Sequence, residues 1–367
     1  MQLWVSVPLA WAIVDLTITQ TIDSKENHTM TNLRTRTRVK LVATLAMAGL
    51  TLAACGSNDS GNNTSQSASD NDKATTITVQ DNSGDVTVPH PPKAVASTDN
   101  RTFEVLEKWG VDLVAAPKRL VPNTIPGYKN NDKITDLGTH REPDLEALVA
   151  SQPDLIIAGQ RFTQHEDEIK KLNPDTPVID FEPREGENMA DELKRQVTEL
   201  GKIFDKEEDA QKLVDDFDAA LKRAKDAYDG KSTVEAVNVS GGEIGYIAPT
   251  VGRFYGPVFD WVGLKPALKI EGATNNHEGD DVSVETLAQA NPDFIIVMDR
   301  DGAIKSKEDG YKPAEEILKG NEALKNVKAM KEGHVYVAPQ DTYTNESIIT
   351  YTEVLNALAD QFEAAKK

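Results

Sequence analysis

Arg161 and Arg300 stand at the same offset in two copies of one sequence pattern. The first copy is Asp144 to Arg161, DLEALVASQPDLIIAGQR. The second is Ser283 to Arg300, SVETLAQANPDFIIVMDR, and the two align without a gap. Arginine stays protonated across the physiological range and offers a planar fork of donors, which suits an anion with paired oxygens. A single arginine in a polar loop is as readily a solvated residue. Two at one offset in a repeat point to function.

The same copies show the elements that must position these side chains. Each starts as a short amphipathic helix and turns at Pro153-Asp154 or Pro292-Asp293. Each then runs into four apolar residues, Leu155-Ile156-Ile157-Ala158 or Phe294-Ile295-Ile296-Val297. Short apolar runs after a turn predict fully buried parallel strands. Ligands of open α/β sheets bind outside the carboxyl ends of the strands. Two similar lobes would therefore each aim an arginine at the space between them.

The 367 residues leave room for about two domains. A formal net charge of -20 argues against a nucleic-acid partner, which needs a basic face, but permits a local basic pocket. The only cysteine is Cys55, so neither an internal disulfide nor a cysteine zinc site can form.

Along the chain, residues 1–54 read as a signal region. Met30 is the better start, because Arg34, Arg36, Arg38 and Lys40 then form a positive segment before the apolar run Leu41 to Leu52. That run is too short to span a bilayer comfortably. Residues 1–54 hold five basic and three acidic side chains, so the remainder carries -22. Residues 55–73 begin at Cys55 and continue as a polar, low-complexity tether. Residues 74–187 predict an N-terminal α/β lobe that opens with a hairpin turning at Asn82-Ser83-Gly84-Asp85. Residues 188–229 predict a connecting helix, with Gly201 and Asp205 as points where it breaks or bends. Residues 230–367 predict a C-terminal α/β lobe closed by an amphipathic helix. The expected fold is α/β, two lobes with central, mostly parallel sheets joined by a long α-helix.

Leu52-Ala53-Ala54-Cys55 resembles a bacterial lipoprotein signal, which implies lipidation of Cys55 and an anchor on the outer face of the cytoplasmic membrane. The rest of the chain resembles the substrate-binding lipoproteins of iron-siderophore ABC importers, the class III type of periplasmic binding protein. The residues that carry this resemblance include Leu137-Gly138, Glu142-Pro143-Asp144-Leu145-Glu146, both Pro-Asp turns with their strands, and Gly333-His334-Val335-Tyr336. A narrower match is to the catecholate branch, of the petrobactin and enterobactin type. That branch carries three pocket arginines, matched here by Arg161, Arg253 and Arg300. Some members add a His and a Tyr that bind iron directly, matched by His277 and Tyr343. Where the family often has a His-Gly step, this chain has His277-Glu278. Tyr255, two residues after Arg253, is placed with the ligand-binding residues, although Phe254, Tyr255 and Trp261 also read as packing residues. Tyr246 is a further cleft candidate, and Tyr351 competes with Tyr343. The class docks on its permease, with its attached ATPase, through one acidic residue per lobe. Glu142 fits the first position and Asp260 the second.

The resemblance implies no permanent cofactor; a ferric siderophore is cargo. A ferric tris-catecholate carries about three negative charges, and burying it without compensation is costly. Three guanidiniums match that charge. Local alternatives are pairing of Arg253 with Asp260 or Glu243, and of Arg300 with Asp299 or Asp301. An enzyme is the first rival reading, but no nucleophile elbow, Walker loop, His-Glu-x-x-His helix or dinucleotide fingerprint is present. Gly241-Gly242 reads as a bend. Another rival is a binding protein of the same fold for haem, cobalamin or a hydroxamate siderophore, none of which calls for three arginines so directly. A zinc or manganese binder would need more histidine and carboxylate ligands. A purely structural surface lipoprotein would hold no tight small ligand.

Overall fold

The structure, a computed structural model, describes residues 75–366. The signal region, Cys55 and the tether lie outside the described residues.

Thr75–Asp81 and Gly84–His90 form the expected hairpin, with Asp81 opposite Gly84. A five-stranded parallel sheet follows. Its order is Thr135–Asp136, Leu113–Ala116, Val95–Ser97, Leu155–Ala158, Val178–Asp180. The second sheet is mixed. Glu243–Ile247 lies antiparallel to Thr233–Ser240, which runs parallel to Phe294–Asp299, which in turn runs parallel to Val335–Val337. The bend at Gly241-Gly242 is a two-residue hairpin turn with φ of +63° and +82°, a conformation that favours glycine.

The two repeat copies occupy equivalent places. Asp144 caps the helix Leu145–Ala150 by accepting from the Ala147 amide at 2.8 Å, and Ser283 caps Val284–Ala290 by accepting from Thr286. The aspartate of each Pro-Asp turn ties the next strand to its neighbour. Asp154 accepts from the amides of Lys93 and Ala94 at 2.8 and 2.9 Å, and Asp293 from that of Thr233 at 2.7 Å. Each strand then lies inside its sheet with every residue buried. Leu155 and Ile157 join one core and Ile156 and Ala158 another. Phe294, Ile296 and Met298 likewise face away from Ile295 and Val297. Both faces are covered, which is why the runs are apolar without alternation.

The helical connection comprises Met189–Ile203 and Glu207–Ala227. It breaks at Phe204 to Lys206, where Asp205 has a φ of +54°. Asn188 caps the first helix by accepting from the Ala190 amide at 2.9 Å. Leu200 and Ile203 of this helix enter the core of the first lobe. Ala190, Leu193 and Val197 pack in a core with the second lobe and with Val105 of the first. The second helix packs along the terminal helix Ile348–Ala364. The lobes are thus joined by a helix committed to both cores rather than by a loose tether.

Glu235 lies at the centre of the second sheet, 2 % exposed, with Oε2 lacking any hydrogen-bond partner. Burial pushes its carboxyl up to about 8. A carboxyl with a raised folded pKa binds more protons native than unfolded, so its contribution falls as pH rises from the unfolded value toward 8. Glu235→Gln is therefore expected to gain stability over the unmodified chain as pH rises from about 5 to 8, by up to ~1.4 kcal/mol per pH unit. Melting curves across that range test this, and a stability difference that stays flat with pH would contradict it.

Candidate functional site

Arg161, Arg253 and Arg300 come from three separate segments and meet over one tyrosine. Arg161 follows the strand Leu155–Ala158 and sits in the 3-10 turn Gln160–His165. Gly159 makes the corner, and a Cβ there would meet the Asp99 side chain at 2.9 Å. Arg300 directly follows Asp299 at the end of Phe294–Asp299. Arg253 precedes the helix Tyr255–Val262 in a tight loop, where a Cβ on Gly252 would stand 2.4 Å from the Ala248 carbonyl oxygen. Their guanidinium carbons lie 5.1, 4.6 and 5.3 Å from the ring centroid of Tyr343, for Arg161, Arg253 and Arg300 in turn. These distances are within cation–π range.

Tyr343 is 4 % exposed, in the short helix Thr342–Asn345. Burial raises its phenol pKa, but the charges of Arg253, Arg161 and Arg300 outweigh it, so the group titrates below an ordinary tyrosine. Several arginine donors still have no protein partner: Nε and Nη2 of Arg161, Nε of Arg253 and Nε of Arg300 are buried and unbonded. Buried donors without acceptors are costly, and an oxygen-rich anion would satisfy them.

These residues line an interlobe cleft of about 910 Å³ that also includes His277. His277 is 46 % exposed in its loop, with its ring 3.8 Å from Glu278. Burial and the Arg300 charge lower its pKa, which favours the neutral imidazole that can coordinate a metal. The cleft is strongly basic within an acidic chain. Lys118, Arg119, Lys129 and Arg141 from the first lobe, with Lys305 and Lys307 from the second, add to the three arginines. Asp136 and Glu308 are the carboxylates among the lining residues.

Behind the arginines lies a buried polar seam between the lobes. Glu346 pairs with Arg253 at 2.5 Å and with Arg101 of the first lobe at 3.2 Å. Arg101 also holds Glu182 at 2.9 Å, and Glu182 accepts from the Gln160 amide at 2.7 Å. Asn100 donates to the Thr344 carbonyl at 2.8 Å, and Asn345 donates to Glu104 at 2.8 Å. Burial pushes Glu346 up, but Arg253 and Arg101 outweigh it and hold the carboxyl below its ordinary value. Gln160, Phe254 and Glu346 all have positive φ, at +48°, +58° and +51°. Such strain persists where surroundings over-determine the backbone, and it concentrates at ligand sites.

The local pairings open to the arginines are not made. Arg253 takes Glu346, not Asp260 or Glu243. Arg300 donates to Ser240 Oγ at 2.8 Å, while Asp299 is spent on Gly302, Tyr311 and Ala314. Asp301 accepts from the Gly242 amide and meets Lys305. Tyr255 does not belong to the cleft. It is fully buried, its hydroxyl donates to the Val297 carbonyl at 3.2 Å, and its ring packs in the second-lobe core. As the first residue of its helix it turns inward, whereas Arg253 remains in the loop. Tyr246 donates to the Leu268 carbonyl and Tyr351 to that of Phe254. Both are buried, and Tyr343 is the tyrosine that lines the cleft with all three arginines. Glu142 and Asp260 are exposed, and Asp260 accepts from Thr250 Oγ1 at 3.0 Å.

The seam and the additional lysines escaped the sequence reading. A signal for part of them was present: Arg101, Lys118, Arg119 and Glu182 all follow the carboxyl ends of first-lobe strands, where ligand-facing residues gather.

Two α/β lobes, a helix rooted in both cores and a basic cleft between them define a two-lobed solute-binding protein. The model of the periplasmic binding protein family matches residues 95–342, and the chain belongs to that family. The family is one of binding proteins, so the chain is a binder and not an enzyme. It is 30% identical over 293 residues to the ferric-anguibactin-binding protein FatB of Vibrio anguillarum, covering 79% of this chain and 88% of that one. It is 29% identical over 318 residues to the petrobactin-binding protein YclQ of Bacillus subtilis, covering 83% and 93%. The crystal structure of YclQ superposes with a TM-score of 0.66 over 79% of this chain and 99% of that one, at 26% identity. The siderophore-binding protein BauB, bound to two molecules of acinetobactin and ferric iron, gives 0.67 over 78% and 99%, also at 26% identity. The two-lobed α/β architecture expected from the sequence is the architecture of this family.

Proposed function

We propose that this chain captures a ferric catecholate siderophore in its interlobe cleft and delivers it to an ABC importer for iron uptake. The observation that carries this reading is the convergence of Arg161, Arg253 and Arg300 on Tyr343, with donors left unbonded. The three guanidiniums, of which Arg253 is also paired with Glu346, present fixed positive charge and forked donors that complement a compact anion bounded by oxygen pairs. Relatives described as binding ferric anguibactin and petrobactin support a siderophore as cargo. Tyr343 supplies a phenol whose ionisation the arginines favour. With His277 it would complete the coordination of a ferric ion that a tetradentate bis-catecholate leaves with two open positions. In this reading Cys55 carries lipid that holds the protein on the outer face of the cytoplasmic membrane. Glu142 and Asp260 meet basic residues of the permease.

Tyr343→Phe isolates the phenol, because it keeps the ring beneath the guanidiniums. Binding of a ferric bis-catecholate is expected to weaken about tenfold, the scale of one strong polar contact. A ferric tris-catecholate, already coordinatively complete, should bind the variant almost unchanged. Equal losses for both complexes, or none for either, would refute direct coordination by Tyr343.

A further inference from the structure

The cationic lining of the cleft falls into two zones, and the second is not accounted for by an iron centre held over Tyr343. The inner zone is the arginine triad. The outer zone lies toward the loops that follow the strand Leu113–Ala116 and the helix Arg300–Lys305. Lys118 and Lys129 are half-buried there. Their ammonium groups rest on neutral acceptors alone: Lys118 donates to the Asn131 carbonyl at 2.8 Å, and Lys129 to that of Val121 at 2.6 Å. Among the described residues neither has a carboxylate within ion-pair distance, whereas most lysines of the chain's surface helices do. The nearby carboxylate of Asp136 is engaged by the Lys118 and Gly138 amides, each at 3.0 Å.

Lys307 lines the same cleft from the second lobe. Burial and the charge of Lys307 together lower the Lys129 pKa, so like charges from opposite lobes act on one another across the cleft. Lys118 and Lys129, half-buried with no carboxylate at ion-pair distance, are unfavourably placed beside a third, exposed ammonium, and Asp136 offsets this for Lys129 only in part. An anion seated between them would relieve that cost and draw the lobes together.

We propose that Lys118, Lys129 and Lys307 form a second anion subsite at the outer end of the cleft, which takes a carboxylate carried by the ligand outside its iron-binding oxygens. This rests on the ferric catecholate reading of the cleft and narrows it. The cargo has catecholate oxygens for the inner zone and a separate anionic group for the outer one.

Two probes separate the zones. Catechol and protocatechuate present the same pair of iron-binding oxygens, and protocatechuate adds an outward ring carboxylate. The purified full chain is titrated with the ferric complex of each at physiological salt, by quenching of its tryptophan fluorescence. The unmodified chain should prefer the carboxylated complex by about tenfold, as for one charge-assisted contact. In Lys129→Gln/Lys307→Gln that ratio should fall close to one. Lys307→Gln alone, at an exposed position, should lower it part-way, which guards against misfolding of the double variant. Lys222→Gln, on an outer helix with Asp226 as its partner, should leave the ratio as it was. Equal affinity of the unmodified chain for both complexes would overturn the subsite and spare the catecholate reading. So would a preference that survives the double substitution. Binding of neither complex would overturn both.

Discussion

Arg253→Ala is expected to weaken binding of a ferric catecholate by ~1.5–3 kcal/mol, the scale of a lost charge-assisted hydrogen bond. The guanidinium is the closest of the three to the Tyr343 ring, at 4.6 Å, and its Nε has no protein acceptor. Its loss would remove both charge and directed donors from the inner zone. Arg253→Lys separates the two contributions. It keeps the charge but not the planar fork, so its affinity should fall between those of the Ala variant and the unmodified chain. Titration of each folded variant measures this. Unchanged affinity in Arg253→Ala would remove Arg253 from the site.

Glu346→Gln should produce the largest change in stability. The carboxylate is almost wholly buried and joins Arg253 of one lobe to Arg101 of the other. Breaking a buried ion pair from one side leaves an uncompensated charge, at a cost of about 3–5 kcal/mol. Two guanidiniums depend on Glu346, but Arg101 keeps Glu182. A loss of about 3 kcal/mol is therefore expected. Chemical denaturation at neutral pH tests it. A loss well under ~1 kcal/mol, the scale of an exposed pair, would show that the seam is solvated and does not lock the lobes.

Much of the architecture was legible because the chain states it twice. The Pro-Asp turns and apolar runs identify interior parallel strands, and the structure supplies the reason for the aspartates. Asp154 bonds the two amides that lead into the strand Val95–Ser97, and Asp293 the first amide of Thr233–Ser240. Arg161 and Arg300 could be found because they follow those strands at one offset. The seam could not. Arg101 and Glu346 stand 245 residues apart, and no local pattern marks such a pair. Tyr255 was misplaced for a related reason. Closeness to Arg253 in sequence says nothing of direction, and a helix beginning between them sends the two side chains opposite ways. Lys118 and Lys129 lie after a strand of the first lobe that has no repeat partner, and Lys307 lies beyond the end of the second copy, so the comparison that exposed Arg161 and Arg300 passed over them.

The most direct test of the central claim is a titration of the purified chain, followed by tryptophan fluorescence. The ligands are a ferric bis-catecholate, a ferric tris-catecholate, a ferric hydroxamate and haem. The arginine cleft predicts that the catecholates bind more tightly than the hydroxamate and haem by at least about tenfold, a difference of ~1.4 kcal/mol. The bis-catecholate should be the tighter of the two if Tyr343 and His277 complete the iron's coordination. Tighter binding of haem or of the hydroxamate would leave the fold and the binding role in place. It would contradict the catecholate assignment and the site built on it.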